Sequence, residues 1–529
     1  MNELEPGAVP EEGDIPAAEG ERKYNPVLEG RIMRRRHLSE AGLTRHGAER
    51  LESGELVLTE QQIARIKKKG ERFPDEQLFE LYELVDLDQS ILTRLEPSGP
   101  FSEEESAQYQ RLIDEGKRLG KERRKSKDKA VRKELLDQIK SAREQRSEIA
   151  KATADRQKQS FLNGEIENPQ FFYPVLEFGE IDLDQTSQNL RDAKKVVRQS
   201  GGDPILKALY SEKINQSIAS VEMLRAVKAG DDHKFYRYSK FIYGEPDEEI
   251  YRIALSEVEG YQPTSQEPEP KLSDEVIKAC FKAALAEYGW KKPEIKISAR
   301  TRRVTTSPKS ISLPKGLGLT PSEIKTLMAH ELETHALRRR SGKKAGLRLL
   351  RSDQLARYLP TEEGLATYAE QRVQESMGIS EKDPEFAIRL IGLHLAKTHN
   401  FRGTYEELFK LYRSVLEKNK TEDPEKVAAS QAYELCIRIF RGTHHPENAG
   451  HPYTKDWVYF KGNLDVATFI SEGGDISRLY IGKIGIQHLQ VLTELGINTP
   501  AIQPRFVAQR IEPLGYVRPS DTEETTGEQ

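Results

Sequence analysis

Apolar residues recur at helical spacing along most of the chain. Leu190–Val197, Ile205–Val227, Tyr251–Val258 and Ser273–Tyr288 each read as helices with an apolar face. Leu78, Leu81, Leu84 and Leu87 predict a short helix nearer the start. From Ser102 to Gln157 there is no Gly or Pro after Gly120, and Leu135, Ile139, Ala142, Ile149 and Ala152 form a thin apolar stripe. That stretch predicts one long helix or a helical hairpin. Strict alternation occurs in two short runs, Glu294–Ser298 and Ser310–Pro314, which predict strands. Thr320-Pro321-Ser322-Glu323 then opens a helix: Thr320 suits the N-cap, Pro321 the first helical position, and Glu323 completes a capping box. Gly342 is its predicted stop.

The pattern predicts an α+β, predominantly helical protein with a small sheet beside that capped helix. Composition divides the chain further. Residues 1–23 are acidic and Pro/Gly-containing, as expected of a disordered tail. A small helical region is expected over 24–100, the charged helix or hairpin over 101–164, a globular domain over 165–518, and a second tail over 519–529. Aromatic residues first cluster at Asn168-Pro169-Gln170-Phe171-Phe172-Tyr173-Pro174, where globular character begins.

No window approaches the roughly 20 apolar residues that span a membrane, and the acidic opening does not resemble a secretory signal. Cys280 and Cys436 are the only cysteines, so a disulfide framework is excluded and a cytoplasmic setting is expected. The net charge of −4 conceals one strong local excess: residues 117–146 hold thirteen Lys/Arg against five Asp/Glu. This stretch reads either as a docking arm for an acidic partner or as a solvated hairpin with i,i+4 ion pairs. Without interleaved aromatics to stack on bases, nucleic acid is disfavoured.

The chemistry concentrates in His330-Glu331-Leu332-Glu333-Thr334-His335. Two imidazoles and a nearby carboxylate are what a zinc hydrolase needs, as ligands and as proton acceptor. The familiar H-E-x-x-H spacing is four; here it is five. A five-residue step turns about 140° around a regular helix, too far for both rings to reach one ion, whereas a π-turn closing i→i+5 restores a common face. A third ligand is expected from Glu362 or Glu363 on the next helix, where Pro360 ends an extended link, Thr361 caps, and Gly364 permits close helix approach. His394 and His399 share the five-residue spacing but lack the following Glu, and read as surface residues or as residues supporting the site from behind. His444, His445 and His451 share a loop without an acidic or thiol partner suitably spaced for a second metal.

HELETH followed by EEGLA resembles the tyrosine carboxypeptidase family of zinc metallopeptidases, relatives of microtubule-associated tyrosine carboxypeptidase with bacterial members marked by QEGLA. The likeness runs from about Asn168 to Val517 and includes the NPQFFYPV segment, Cys436–Gly442 and His451–Gly462. It implies a zincin-like domain with Zn2+ on His330, His335 and Glu363, and with Glu331 as general acid/base. The family usually reads H-E-I-G-T-H, so Glu333 replaces a Gly and places an extra carboxylate near the ion, where Arg338 or Arg339 could pair with it.

Carboxypeptidase chemistry also needs an oxyanion donor and a cation for the substrate's terminal carboxylate. Tyr459 and Tyr453 are candidates for the first; Arg438, Arg441 and Lys455 are candidates for the second. The expected activity is removal of a C-terminal aromatic residue, Tyr or Phe, from a peptide or protein. The alternatives are a zinc endopeptidase or amidase, and a non-catalytic helical adaptor with a vestigial zinc site.

Overall fold

Capping chemistry sets many helix boundaries in the computed structural model. It describes residues 48–50, 56–58 and 96–509, apart from 180–181, 200–202, 264–268, 291–293, 299–303, 307–309, 346, 351–354 and 380–383. The first described residues form a two-stranded antiparallel pair, β1 (Ala48–Arg50) and β2 (Leu56–Leu58). This corrects the helical expectation at these positions: Ser53-Gly54 is a turn signal between two short runs. The Leu78–Leu87 helix and both predicted tails lie outside the described residues.

The long charged stretch is a hairpin. Ser102 forms a capping box with Glu105 to start α1 (Glu103–Lys125). Asp128 then accepts from the amides of Ala130 and Val131 to start α2 (Lys129–Leu162). A capping Asp satisfies the orphan N–H groups of a new helix, so the chain turns between Ser126 and Asp128.

The globular part follows as α3 (Pro174–Glu177), α4 (Leu183–Gln199), α5 (Pro204–Ala229), α6 (Asp232–Tyr243), α7 (Glu248–Gly260) and α8 (Asp274–Glu287). Helix α5 runs through the core, with Val221, Met223, Leu224 and Val227 fully buried. Both predicted strands form. β3 (Glu294–Ser298) and β5 (Ser310–Pro314) pair in parallel, and β4 (Thr305–Thr306) adds antiparallel to β5, giving the order β3-β5-β4. The sheet leads into α9 (Pro321–Leu327), where the Thr320–Glu323 capping box is present. The helix then widens into a π segment, Met328–Ala336, and returns to α winding in α10 (Leu337–Lys344).

Gly342 does not end that helix. Its Cα faces Leu350 and Gly482, and a Cβ there would lie 2.2 Å from the Leu350 carbonyl oxygen. Its smallness permits packing, not termination.

Helix α11 (Leu359–Ser376) comes next, then α12 (Glu385–Leu395), α13 (Phe401–Lys418), α14 (Pro424–Phe440), α15 (Trp457–Ser471) and α16 (Leu489–Glu494). α11 begins two residues before Thr361, which is therefore not its cap; the Thr361 hydroxyl accepts from the Ile486 amide at 3.0 Å. α11 crosses α15 at Gly364 and Gly462. A Cβ on Gly364 would lie 2.0 Å from the Gly462 carbonyl carbon, and one on Gly462 would lie 2.0 Å from the Pro360 oxygen. This backbone-to-backbone crossing brings Glu363 and Tyr459, one and three residues before the two glycines, to the same region of the fold. Cys280 and Cys436 are buried free thiols, and no helix among the described residues is long and apolar enough to cross a membrane.

Because backbone on either side leaves no room for a methyl group, Gly364→Ala should destabilise the protein by at least about 2 kcal/mol. Urea unfolding checks this; a loss below about 0.5 kcal/mol would show that the crossing can relax.

Candidate metal centre

The π segment gives the His330–His335 spacing its geometry. Thr334 Oγ1 donates to the Ala329 carbonyl five residues back at 2.9 Å, and the two imidazole centroids stand 4.7 Å apart at an interplanar angle of 82°. Glu363, from the first turns of α11, completes a set in which one ligand atom from each of His330, His335 and Glu363 lies within 4.8 Å of the others. His335 Nε2 is 3.8 Å from Glu363 Oε2. Two ligands each about 2.0–2.1 Å from a tetrahedral zinc ion stand only about half an ångström closer.

Each imidazole has a carboxylate behind it. His335 Nδ1 is 2.7 Å from Glu362 Oε1. Glu362 is buried among cations: Lys483 Nζ reaches Oε1 at 2.8 Å and Arg338 Nη1 donates to Oε2. Burial pushes the Glu362 carboxyl up, but Lys483, Arg338 and His335 outweigh it and hold the group well below the usual carboxylate range. An ionised carboxylate only accepts, so His335 must carry its proton on Nδ1, leaving the Nε2 lone pair for a ligand. His330 Nδ1 lies 2.9 Å from Glu370 Oε1 on α11, out of line for a full hydrogen bond. Burial opposes protonation of His330, yet Glu370, Glu363 and Glu331 raise it to about 9. The pocket thus carries surplus negative charge, as a cation site should. This donor set, with a carboxylate behind each ring, fits zinc.

Glu331 is largely buried beside both rings. Desolvation raises its pKa, partly offset by His335 and His330. Tyr459 also lies close by; burial and then the Glu363 charge raise its hydroxyl pKa. Its ring stacks on Phe386 at 5.4 Å, and its hydroxyl has no hydrogen-bond partner among the described residues. Lys455 is nearly buried, and desolvation lowers its pKa against the opposing pull of Glu363 and Asp456.

The remaining candidates separate clearly. Arg438 makes a two-pronged contact with Asp456 at 2.9 and 2.7 Å, so Asp456 pairs there and forms no ion pair with its neighbour Lys455. Arg441 has no ion pair among the described residues, and its Nε is buried without a partner. Tyr453 is turned into the core, its hydroxyl 3.1 Å from that of Tyr243; its geometry is that of a packing residue. His394 stacks on Tyr251 at 3.8 Å and joins no metal-binding group among the described residues.

Glu333 departs from expectation most. It is buried away from the His/His/Glu set: Oε1 accepts from the Tyr288 hydroxyl and from the Val507 amide at 2.6 Å, and Oε2 from the Ala508 amide at 3.2 Å. Arg338, one of the two arginines offered as its partner, pairs with Glu362.

A family model described as "Microtubule-associated tyrosine carboxypeptidase" matches residues 158–519. The chain belongs to that family. No curated protein matches it. A solved structure titled "The Structure of CHT" aligns over 80% of this chain and 96% of that chain at 11% identity, with a TM-score of 0.25, too low to carry an argument. The family match begins after nearly all of the α1–α2 hairpin.

Sequence reasoning missed Glu370, Lys483 and the orienting role of Glu362. Glu370 stands seven residues after Glu363, two turns along one helical face, which is a readable signal. Lys483 arrives from a distant loop and left none.

Two substitutions should separate these carboxylates. Glu362→Gln should weaken zinc binding about 10- to 100-fold in chelator competition. Glu333→Ala should leave zinc affinity within about threefold and cost at least about 2 kcal/mol of stability, because three buried donors lose their acceptor. Weakened zinc binding in Glu333→Ala at full stability would reverse the assignment.

Proposed function

We propose that this protein is a zinc-dependent carboxypeptidase that removes a C-terminal aromatic residue, Tyr or Phe, from a peptide or protein. The carrying observation is the π-wound helix that turns His330 and His335 toward Glu363, with a carboxylate behind each ring. The strand β5, capped helix and following α11 support a zincin-like reading of this part of the fold. Membership of a family named for tyrosine carboxypeptidase activity supports the reaction class.

Zinc held by His330, His335 and Glu363 would supply Lewis acidity to the scissile carbonyl and acidify the attacking water. Glu331 accepts the proton of that water and passes it to the departing amine; its raised pKa suits both halves of the transfer. The free hydroxyl of Tyr459 donates to the developing oxyanion. Lys455 has no carboxylate within ion-pair distance among the described residues, and with Arg441 it supplies positive charge for the substrate's terminal carboxylate. Arg438, neutralised by Asp456, positions the turn that carries Lys455.

Glu331→Gln should retain about one zinc per chain and lose at least about 10²-fold in kcat on peptides ending in free Tyr or Phe. Lys455→Met should raise KM for those peptides about tenfold with a smaller effect on kcat. C-terminally amidated peptides should resist cleavage. Equal cleavage of amidated peptides would indicate an endopeptidase or amidase; failure to bind zinc and to cleave would indicate an adaptor.

A further inference from the structure

The hydroxyl of Tyr459 has no hydrogen-bond partner among the described residues. A free donor can turn toward a developing oxyanion. It lacks, however, the tether that fixes a hydroxyl such as that of Tyr453, held 3.1 Å from the Tyr243 oxygen. The place of the Tyr459 oxygen must therefore be set by what packs on its ring.

That packing is well defined. Tyr459 lies in the first turn of α15 and Phe386 in the first turn of α12. Their rings stack with centroids 5.4 Å apart and planes 11° from parallel. Near-parallel rings at that separation are offset, which is the stacking that ring quadrupoles favour. Arg389, one turn further along α12, sets its guanidinium 5.1 Å from the Phe386 centroid and 5.9 Å from the Tyr459 centroid. A cation so placed is attracted to both rings.

Arg389 is itself held. Its Nε donates to Glu385 Oε1 at 2.7 Å, and the Tyr412 hydroxyl on α13 donates to Glu385 Oε2 at 2.9 Å. Burial disfavours the charged guanidinium, but Asp456 and Glu385 outweigh it. Glu385, Phe386 and Arg389 thus form a shelf at the start of α12, tied to α13 and packed against the core. An aromatic pair placed only for stability belongs inside the core, whereas Phe386 and Tyr459 are both partly exposed. The Glu363 charge acts on the Tyr459 hydroxyl, so the shelf supports a ring whose far end faces the metal set.

We propose that Phe386, backed by Arg389, is a positioning residue for the reaction: it fixes the ring of Tyr459 and so the place where the hydroxyl meets the oxyanion. The proposal rests on the carboxypeptidase reading and gives α12 a part in it. Phe386 acts only through Tyr459. The hydroxyl sits at the far end of the side chain, where a small rotation of the ring displaces it most. A misplacement on the order of 1 Å can cost about 100-fold in rate.

The test uses the full chain with zinc and a peptide ending in free Tyr. Phe386→Leu keeps an apolar side chain and removes the ring. Its kcat should fall about tenfold, with KM changed less than about twofold. Phe386→Tyr keeps the ring and should restore most of the rate. Tyr459→Phe should lose about 100-fold in kcat. Adding Phe386→Leu to it should cost nothing more, since no hydroxyl remains to be misplaced; losses that multiply would show a merely structural role and overturn the shelf. In crystals of metal-free Phe386→Leu the Tyr459 ring should be turned or spread over several positions, with His330, His335 and Glu363 unmoved. A ring that keeps its place overturns the shelf, whatever the protein cleaves. So does full kcat in Phe386→Leu beside a lost kcat in Tyr459→Phe. Full kcat in Tyr459→Phe would remove the oxyanion role and the shelf together. A displaced ring in a protein whose unaltered chain cleaves no peptide would sink the carboxypeptidase reading and leave the hold of Phe386 on Tyr459 standing.

Discussion

Two imidazoles five residues apart can serve one ion only if the helix between them is wound i→i+5. The rest of the site depends on that constraint. π winding is rare because it is less favourable than α winding, so it needs support on both sides. A capping box starts the helix before it. Within it, the Thr334 hydroxyl returns to the Ala329 carbonyl. Across the helix from the metal set, Glu333 ties the segment to Tyr288 and to the amides of residues 507 and 508. At this position the chain places a buried carboxylate that clamps the turn from outside.

A second constraint is electrostatic. Glu362, Arg338, Lys483 and His335 form a buried network in which Arg338, fully inaccessible to solvent, also donates to the carbonyls of Leu479 and Ile484. Burying such charges gains little net stability, since desolvation offsets much of the attraction, but removing one member leaves the others uncompensated. Its use here is orientation: it fixes Glu362 as an ionised acceptor and thereby the His335 tautomer. The Gly364–Gly462 crossing supplies the matching steric constraint, because no other residue would let α11 bring Glu363 so near Tyr459.

Much of this was legible in the sequence because it was local. The capped helix, the two alternating strands, the π-turn required by the His330–His335 spacing and the close approach at Gly364 each follow from a few neighbouring residues. Distant partners were illegible. Glu333 looked like a disturbance to the ion because its acceptor role depends on residues 507–508, some 170 positions away. Gly342 looked like a helix stop because its contact with Leu350 lies in a later turn. Tyr453 and Tyr459 looked alike in sequence, and only packing separates the residue bonded to Tyr243 from the one with a free hydroxyl.

We propose that the π-wound helix holds zinc through His330, His335 and Glu363, with Glu333 apart. A crystal soaked in zinc and measured on both sides of the zinc absorption edge tests it most directly. One anomalous peak is expected, bonded to those three side chains, with the helix still π-wound between the histidines. A peak bonded to Glu333 or Glu362, or none at saturating zinc, would contradict it.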